Sequence, residues 1–318
     1  MSKIAIVGAG SVGSSLAYAC LIRGSARRIA LYDLAEARVD AEVLDLAHGT
    51  QFTGSSTISG GADIACVEGA QVVLVTAGAK QQPGQSRLEL AGANADILAS
   101  LMPELLRYAP DAVYVLVTNP ADVMTTIAQR ISGLPANRVL STGTLLDTSR
   151  LRWRIAEMAG GVASTSVHAM IVGEHGDSEF PLWSQATIGP VPILEWEVDG
   201  RLVFEHAALD AIAEEVRTAA YTVIAGKGAT NYAIGLAGAR LAEAIVRNER
   251  AVMPVSSVLN GEWGIREVAL SVPSVVGANG VEQILDVPMS KGELMRLRQS
   301  ADTIAAAVRS VDQAGRSA

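Results

Sequence analysis

Residues 3–13 read KIAIVGAGSVG, an uncharged apolar run followed at once by three glycines spaced as G-x-G-x-x-G. Such a run is typical of a buried strand, and Gly8 permits the tight turn that leaves it. Gly10 lets the backbone approach a pyrophosphate, and Gly13 lets the following helix pack closely on the strand. The first turn of that helix has free N–H groups and a positive dipole end. The stretch therefore predicts a strand, a turn and a helix that bind a dinucleotide.

Asp33 lies twenty positions after Gly13, at the end of the next apolar run. A carboxylate at this place accepts hydrogen bonds from the adenosine ribose hydroxyls, and it repels the 2′-phosphate of NADP. An aspartate in an ordinary turn or at a helix N-cap is the alternative explanation. Together with the glycine pattern, Asp33 favours NAD as the cofactor.

The first half of the chain alternates apolar runs with helical stretches. The predicted strands are Ile4–Val7, Ile29–Tyr32, Val72–Val75, Val113–Val117 and Val139–Leu140. The predicted helices between them are Val12–Arg23, Glu36–Ala47, Leu90–Tyr108 and Val123–Ile131. This alternation predicts an α/β fold, namely a Rossmann domain with a doubly wound parallel sheet and right-handed crossovers.

The pattern changes to α+β after about residue 145. Helices are predicted over Leu145–Met158, Ala207–Ala225, Leu236–Arg247 and Lys291–Arg309, and strands over Val167–Val172, Ala186–Ile188 and Val268–Val272. We therefore expect two domains packed as one subunit. Residues 1–143 would bind NAD, and residues 144–318 would form an α+β domain for substrate and catalysis.

Charge and composition exclude several classes of function. The net charge is −8 and Lys and Arg form no cluster, which argues against a nucleic-acid surface. The isolated cysteines, Cys20 and Cys66, suit neither a disulfide framework nor a zinc site, so we expect no bound metal. The sequence has no run of about 18 apolar residues and no signal-peptide pattern, so we expect a cytoplasmic protein without a membrane span.

His175 is the best acid–base candidate in the sequence. It lies in GEHGDS (173–178), a polar segment with flanking glycines just after an apolar strand. Asp147, at the start of a helical stretch, can hold one ring nitrogen of His175 and stabilise the imidazolium. Arg150 shares a helix face with Asp147. The alternatives are a surface loop histidine and a simple intrahelical ion pair.

Six motifs in this order resemble the L-lactate/L-malate dehydrogenase family: GAGSVG, TAGAKQQPGQSR (76–87), TNP (118–120), GTLLDTSR (143–150), GEHGDS and KGATNYAIG (227–235). The resemblance extends from Lys3 through the C-terminal helix. It implies hydride transfer between NAD and a small 2-hydroxy acid, with His175 as proton donor and acceptor and Asp147 as the group that orients it.

The resemblance also implies roles for other residues. Arg150 would bind the substrate carboxylate as a bidentate fork, and Arg87 would polarise the substrate carbonyl from a loop that closes over the site. Asn119 would bond the substrate oxygen or the nicotinamide ribose, Thr230 would line the pocket, and Ile234 would lie against the nicotinamide ring. The implied NAD contacts also include Gly8, Gly10, Val12, Gly13, Asp33, Arg38, Gly78, Ala79, Ser100, Val117 and Thr142.

Gln81 decides the expected substrate. Malate enzymes of the family place an Arg at this position, where it pairs with the second carboxylate of oxaloacetate. Neutral Gln81 would leave that carboxylate desolvated and unpaired, so we expect pyruvate and L-lactate to be the substrates. Asn231 and Gln85 depart from the family pattern, which leaves a broader 2-keto acid specificity open. A non-catalytic NAD-binding protein would lack one of the four groups His175, Asp147, Arg150 and Arg87, and all four are present.

Arg152 and His168 resemble the phosphate ligands of family members from bacteria that respond to fructose 1,6-bisphosphate. Two subunits would each contribute both residues across a two-fold axis, and the effector would relieve their mutual repulsion. A solvated helix arginine and a strand histidine are the alternatives. The family also implies a homo-oligomer, namely a tetramer.

Overall fold

A computed structural model describes residues 1–79 and 87–317 of the chain. Its strands in chain order are β1 (Lys3–Val7), β2 (Arg28–Tyr32), β3 (Thr57–Gly61), β4 (Val72–Val75), β5 (Val113–Leu116), β6 (Val139–Ser141), β7 (Val167–His168), β8 (Ile171–Val172), β9 (Phe180–Pro181), β10 (Thr187–Ile188), β11 (Val191–Pro192), β12 (Glu197–Val198), β13 (Arg201–Leu202), β14 (Ala251–Asn260), β15 (Arg266–Gly277) and β16 (Gly280–Ile284). Its helices are α1 (Ser11–Arg23), α2 (Glu36–His48), α3 (Arg87–Tyr108), α4 (Ala121–Ser132), α5 (Leu145–Met158), α6 (His206–Lys227), α7 (Tyr232–Val246) and α8 (Lys291–Ser317).

Six parallel strands form the centre of the molecule, in the order β3-β2-β1-β4-β5-β6. This is the order of a doubly wound dinucleotide-binding sheet, and it confirms the predicted Rossmann fold. Both faces of the sheet are covered. In β1, Ile4 and Ile6 pack with residues of α1 and α7, whereas Ala5 and Val7 pack with residues of α3, α4 and α8. The uncharged runs in the sequence therefore reflect strands buried on both sides.

The sheet continues beyond β6 with strands from residues 144–318, for which the sequence predicts a separate α+β domain. Strand β14 pairs antiparallel with β6, and β15 and β16 extend the sheet to nine strands. No strand was predicted over Ala251–Asn260, because Pro254 and two serines interrupt its apolar pattern. Ser256 and Ser257 are nevertheless buried, and Pro254 lies opposite Pro273 in the partner strand. The central sheet thus contains strands from both halves of the chain.

The remaining strands form small sheets beside α5 and α6. The predicted single strand Val167–Val172 is in fact two: β7 pairs with β10, and β8 pairs with β9. The break redirects the chain, so that β8 leads into the segment that carries His175. A separate apolar cluster from α5, α6 and these strands fixes the region. Within the described residues, no helix is long and apolar enough to span a membrane.

Candidate active site

The glycine-rich turn after β1 has the geometry that a dinucleotide requires. Gly8 has a φ of +107°, and a Cβ there would lie 2.7 Å from Thr76 Oγ1. A Cβ on Gly13 would overlap the carbonyl oxygen of Gly8, so α1 can approach β1 only because this residue is glycine. At Gly10, by contrast, a Cβ would meet no atom within 4 Å. The turn is therefore packed on its inner side and open at Gly10, which fits a bound pyrophosphate.

The start of α1 and the residue after β2 also fit NAD. Gly10 is the N-cap of α1 and provides no side chain to occupy the free N–H groups of the first turn. The carboxylate of Asp33 accepts hydrogen bonds from the backbone N–H of Ala9, at 2.7 Å, and of Ala35, at 2.9 Å. These bonds fix a half-buried carboxylate at the end of β2, beside the glycine turn.

The other predicted cofactor residues lie in three places. Strand β4 is followed by Gly78 and Ala79, β5 by Val117 and β6 by Thr142. These residues therefore lie at the carboxyl edge of the sheet, where such folds bind ligands. Val12 lies in the first turn of α1. Arg38 and Ser100 are instead exposed on α2 and α3, and the Ser100 hydroxyl donates to the carbonyl of Ile97.

His175 and Asp147 are in direct contact. Nδ1 of His175 lies 2.6 Å from Oδ2 of Asp147, and Nη1 of Arg150 lies 2.6 Å from Oδ1 of the same carboxylate. Asp147 is buried in the first turn of α5, whereas the His175 side chain is 28% exposed. The ring is thus held by one nitrogen, and its other nitrogen, Nε2, is left to serve as the proton carrier.

The charges of the site shift both pKa values in the direction that favours an ion pair. The Asp147 carboxylate raises the pKa of His175 from 6.5 to about 9, although burial of the ring acts in the opposite direction. Burial alone would raise the pKa of Asp147, but His175 and Arg150 hold it below its usual value. At neutral pH the pair is therefore imidazolium and carboxylate.

Contacts from three other elements hold the His175 loop. The backbone N–H of His175 donates to Oδ2 of Asp122 in α4, at 2.7 Å. The backbone N–H of Glu174 donates to Ser300 Oγ in α8, also at 2.7 Å, and Gly173 pairs with Ser271 of β15. The loop is thus fixed by α4, α8 and the central sheet, so the ring position is set by the fold.

The structure describes some of the predicted substrate residues. Gln81 lies outside the described residues, and Arg87 begins α3 with a side chain that is also outside them. Asn119 is exposed just before α4, and its carbonyl accepts a hydrogen bond from Asn94 Nδ2 at 2.7 Å. Arg150 is half-buried, and one of its two terminal nitrogens binds Asp147.

Thr230 and Ile234 lie where α6 gives way to α7. Helix α7 packs closely on α1, because a Cβ on Gly235 would lie 2.9 Å from the backbone of Ser15. Asn231 Nδ2 donates to Ser15 Oγ at 2.8 Å. The structure therefore brings the segment with Thr230 and Ile234 to the helix that follows the glycine turn.

Arg152 and His168 lie on adjacent segments. Nε of Arg152 donates at 2.8 Å to the carbonyl of Ala169, the residue that follows His168. His168 is exposed on β7, and Arg152 is half-buried on α5. Burial lowers the pKa of the Arg152 guanidinium below its usual value.

Two buried acids beside His175 were not identified from the sequence. Asp122 follows the TNP motif by two residues, and Glu179 follows His175 by four, so both lay next to motifs that the sequence analysis had used. Only the fold shows that α4 carries Asp122 to the backbone of His175. Glu179 Oε2 lies 3.9 Å from Nδ1 of His175.

Comparison with known proteins agrees with this geometry. The family model of the lactate/malate dehydrogenase NAD binding domain matches residues 2–141, and that of the alpha/beta C-terminal domain matches residues 144–314. An L-lactate dehydrogenase of Bifidobacterium animalis subsp. lactis is 49% identical over 304 residues, which is 95% of each chain. One from Synechococcus sp. is 43% identical, over 97% of this chain and 99% of that one.

Solved structures give the same result. The crystal structure of the minor L-lactate dehydrogenase from Enterococcus mundtii superposes with a TM-score of 0.93 at 40% identity, over 98% of both chains. A lactate dehydrogenase from a Medee basin deep-sea metagenome library also has a TM-score of 0.93, at 34% identity over 98% of this chain and 99% of that one. The chain belongs to the lactate/malate dehydrogenase family. It is thus an NAD-dependent oxidoreductase, and both the predicted family and the predicted cofactor are confirmed.

Proposed function

We propose that this protein is an L-lactate dehydrogenase, which reversibly reduces pyruvate to L-lactate with NADH. The observation that carries the proposal is the hydrogen-bonded series Arg150–Asp147–His175, with 2.6 Å at each contact. The names of the relatives support it, since those at 49% and 43% identity are L-lactate dehydrogenases. Reduction of a ketone to an alcohol needs one hydride and one proton. The imidazolium of His175, held by Asp147, can supply the proton.

His175 acts as the acid for pyruvate reduction and as the base for lactate oxidation. The bound nicotinamide supplies or receives the hydride. As the carbonyl oxygen gains negative charge, the imidazolium of His175 donates its Nε2 proton to that oxygen. Asp147 stabilises the charged ring before the transfer and fixes the tautomer after it. The raised pKa of His175 keeps the acid form populated at neutral pH.

Arg150 and Arg87 bind the substrate in this proposal. Arg150 holds the carboxylate of pyruvate, and its bond to Asp147 fixes the guanidinium plane beside the His175 ring. Arg87 polarises the ketone oxygen, Asn119 provides a further hydrogen bond, and Thr230 bounds the pocket. A forked guanidinium suits these roles better than the point charge of Lys.

Neutral Gln81 is the basis for proposing pyruvate instead of oxaloacetate. Measuring NADH oxidation with pyruvate, oxaloacetate and 2-ketoisocaproate at equal concentrations tests this directly. We expect kcat/KM for pyruvate to exceed that for oxaloacetate by about a hundredfold or more. Faster turnover of oxaloacetate would reject the proposal, and faster turnover of 2-ketoisocaproate would indicate a wider pocket near Thr230 and Asn231.

We further propose regulation by fructose 1,6-bisphosphate at Arg152 and His168. The support is local: the Arg152 side chain donates a hydrogen bond to the backbone of Ala169, which follows the exposed His168, so the two residues are neighbours in the fold. The bisphosphate should lower the KM for pyruvate, and Arg152→Gln should abolish that effect. Identical pyruvate kinetics with and without the effector at neutral pH would reject this part.

In this proposal the protein is cytoplasmic, with an NAD-binding domain over residues 1–143 and a catalytic domain over residues 144–318. The proposed assembly is a homotetramer. Its support is the set of large apolar side chains exposed on α1 and α7, namely Tyr18, Ile22, Tyr232 and Leu236. Sedimentation velocity at micromolar concentration should give a mass four times that of the chain. A monomer of 33.1 kDa would contradict it.

A further inference from the structure

Glu179 is a buried acid to which the roles above assign no function. It ends the loop that carries His175, directly before β9, and its side chain is only 5% exposed. Its Oε2 lies 3.9 Å from Nδ1 of His175. Asp147, His175 and Glu179 each have a side-chain nitrogen or oxygen within 4.8 Å of those of the other two. Glu179 therefore belongs to the same cluster as the proton-transferring pair.

The carboxyl groups of Glu179 and Asp147 are both buried, and one oxygen of each lies within 4.8 Å of the other in this cluster. Two ionised carboxylates that are buried this close together repel each other without solvent to screen them, which favours a proton on one of them. Asp147 is the group that stays ionised, because its two oxygens bind His175 and Arg150. The proton of the pair therefore lies on Glu179.

The charges around Glu179 agree with this assignment. Burial raises the pKa of Glu179 far above its usual range, and the charge of Asp147 raises it further. His175 and Arg150 act in the opposite direction without reversing the shift. Among the described residues, the charged groups that act on this cluster include Asp147 and Arg150 of α5, Asp122 of α4 and His175 in the loop itself. Arg296 of α8 lies beside the loop end, with its guanidinium 4.8 Å from the ring centre of Phe180.

We propose that Glu179 is a neutral carboxylic acid at neutral pH and a positioning residue, whose O–H group donates to Asp147 and holds that carboxylate against His175. The kinetic part of this inference rests on the proposed function, because pyruvate reduction is its readout. The protonation state itself does not, since it belongs to the protein alone.

A neutral Glu179 also sets the charge that the substrate meets. Of the three groups Asp147, Arg150 and protonated His175, two are cations and one is an anion, so together they carry one net positive charge. A 2-keto acid with one carboxylate brings one negative charge. An ionised Glu179 would cancel the positive charge and weaken binding of the anion.

Infrared spectroscopy of the protein without substrate tests the protonation state. A protonated carboxylic acid absorbs in a C=O stretching region where carboxylates do not. We expect such a band at pH 7.5 in the wild-type protein, its absence in Glu179→Gln, and its loss from the wild type as the pH rises through the ionisation of Glu179. The matched control is Glu243→Gln, because Glu243 is a buried glutamate that Arg23 keeps ionised. This control should leave the band in place.

Kinetics of two variants test the positioning role. Glu179→Leu removes the donor, and we expect kcat for pyruvate to fall about tenfold or more with little change in KM, because Arg150 keeps its charge. Glu179→Gln restores an N–H donor without a titrating proton, so it should recover most of that loss. Above pH 9, log(kcat/KM) should fall with a slope steeper than −1 in the wild type, since both His175 and Glu179 lose protons. In Glu179→Gln the slope should be −1.

Three results would overturn the inference. A protonated-acid band that survives in Glu179→Gln would show that the proton lies elsewhere. Equal losses of kcat in the Gln and Leu variants would show that the donor is not what matters. Wild-type kinetics in Glu179→Leu would remove the positioning role. If pyruvate is not a substrate, the infrared result still decides the protonation state, so failure of this inference and failure of the proposed function remain distinguishable.

Discussion

Replacing Asp147 by Asn removes the negative charge that holds the His175 ring while nearly preserving the shape of the side chain. That carboxylate is the main cause of the rise in the His175 pKa from 6.5 to about 9. At about 1.4 kcal/mol for each tenfold change, the shift corresponds to about 3 kcal/mol of stabilisation of the imidazolium. The His175 side chain is 28% exposed, so solvent screening makes this value an upper bound. We expect kcat/KM for pyruvate at pH 7 to fall by about a hundredfold.

The assay is the pH profile of kcat/KM for pyruvate reduction between pH 5 and 10. In the wild type, activity should decline as His175 loses its proton near pH 9. In Asp147→Asn the decline should begin about two pH units lower, near the usual range of a histidine. Asp302→Asn, an exposed position on α8, is the matched control and should behave like the wild type. An unshifted basic limb in Asp147→Asn would refute the reasoning.

Three further outcomes are expected. Asp122→Ala should lower the free energy of unfolding by about 1–3 kcal/mol, because the half-buried N–H of His175 loses its acceptor. Asp122→Asn keeps an acceptor, so urea titrations should show a smaller loss of stability for it. Gln81→Arg should raise the ratio of kcat/KM for oxaloacetate to that for pyruvate by about a hundredfold or more in a two-substrate assay; an unchanged ratio would contradict the role of Gln81. The free energy of unfolding should decline as the pH rises from about 6.5 to about 9, because the folded-state pKa of His175 is raised and its stabilisation is complete only below the unfolded-state value. Urea titrations at pH 6, 8 and 10 measure this decline, which should be smaller in Asp147→Asn.

The Rossmann half of the fold was predictable because its signals are local. An uncharged run such as Ile4–Val7 is buried on both faces, so its continuous apolar character and its β propensity agree. The glycine turn and Asp33 lie within one βαβ unit, and short-range sterics explain both. The edge strand β3, by contrast, reads TISGG and is mostly half-exposed, so neither its apolar content nor its propensity marks it as a strand.

The antiparallel extension of the sheet was not predictable for a different reason. Strand β14 carries Pro254 and buried serines, and its place beside β6 depends on a partner more than a hundred residues earlier in the chain. Pairing over that distance is decided by the tertiary fold and leaves no periodic pattern in either segment. Another contact of this extension, between Ser271 of β15 and Gly173, helps to hold the His175 loop.

Within the site, the contact between His175 and Asp147 was predicted, and the two buried acids beside them were not. His175 and Asp147 are 28 positions apart, and the family resemblance implied a contact that the structure has at 2.6 Å. Asp122 and Glu179 carry no such signal, because a lone acid is usually solvated. Asp122 is placed by its hydrogen bond to the His175 backbone and Glu179 by its burial beside His175, and only the folded chain provides either.

The most direct test of the central claim is to identify and count the products. Purified protein incubated with NADH and an excess of pyruvate should form one L-lactate for each NADH oxidised, as measured by chiral chromatography and absorbance. His175→Gln should still bind NADH but form product at least about a hundred times more slowly. No lactate, D-lactate, or an undiminished rate in His175→Gln would contradict the account.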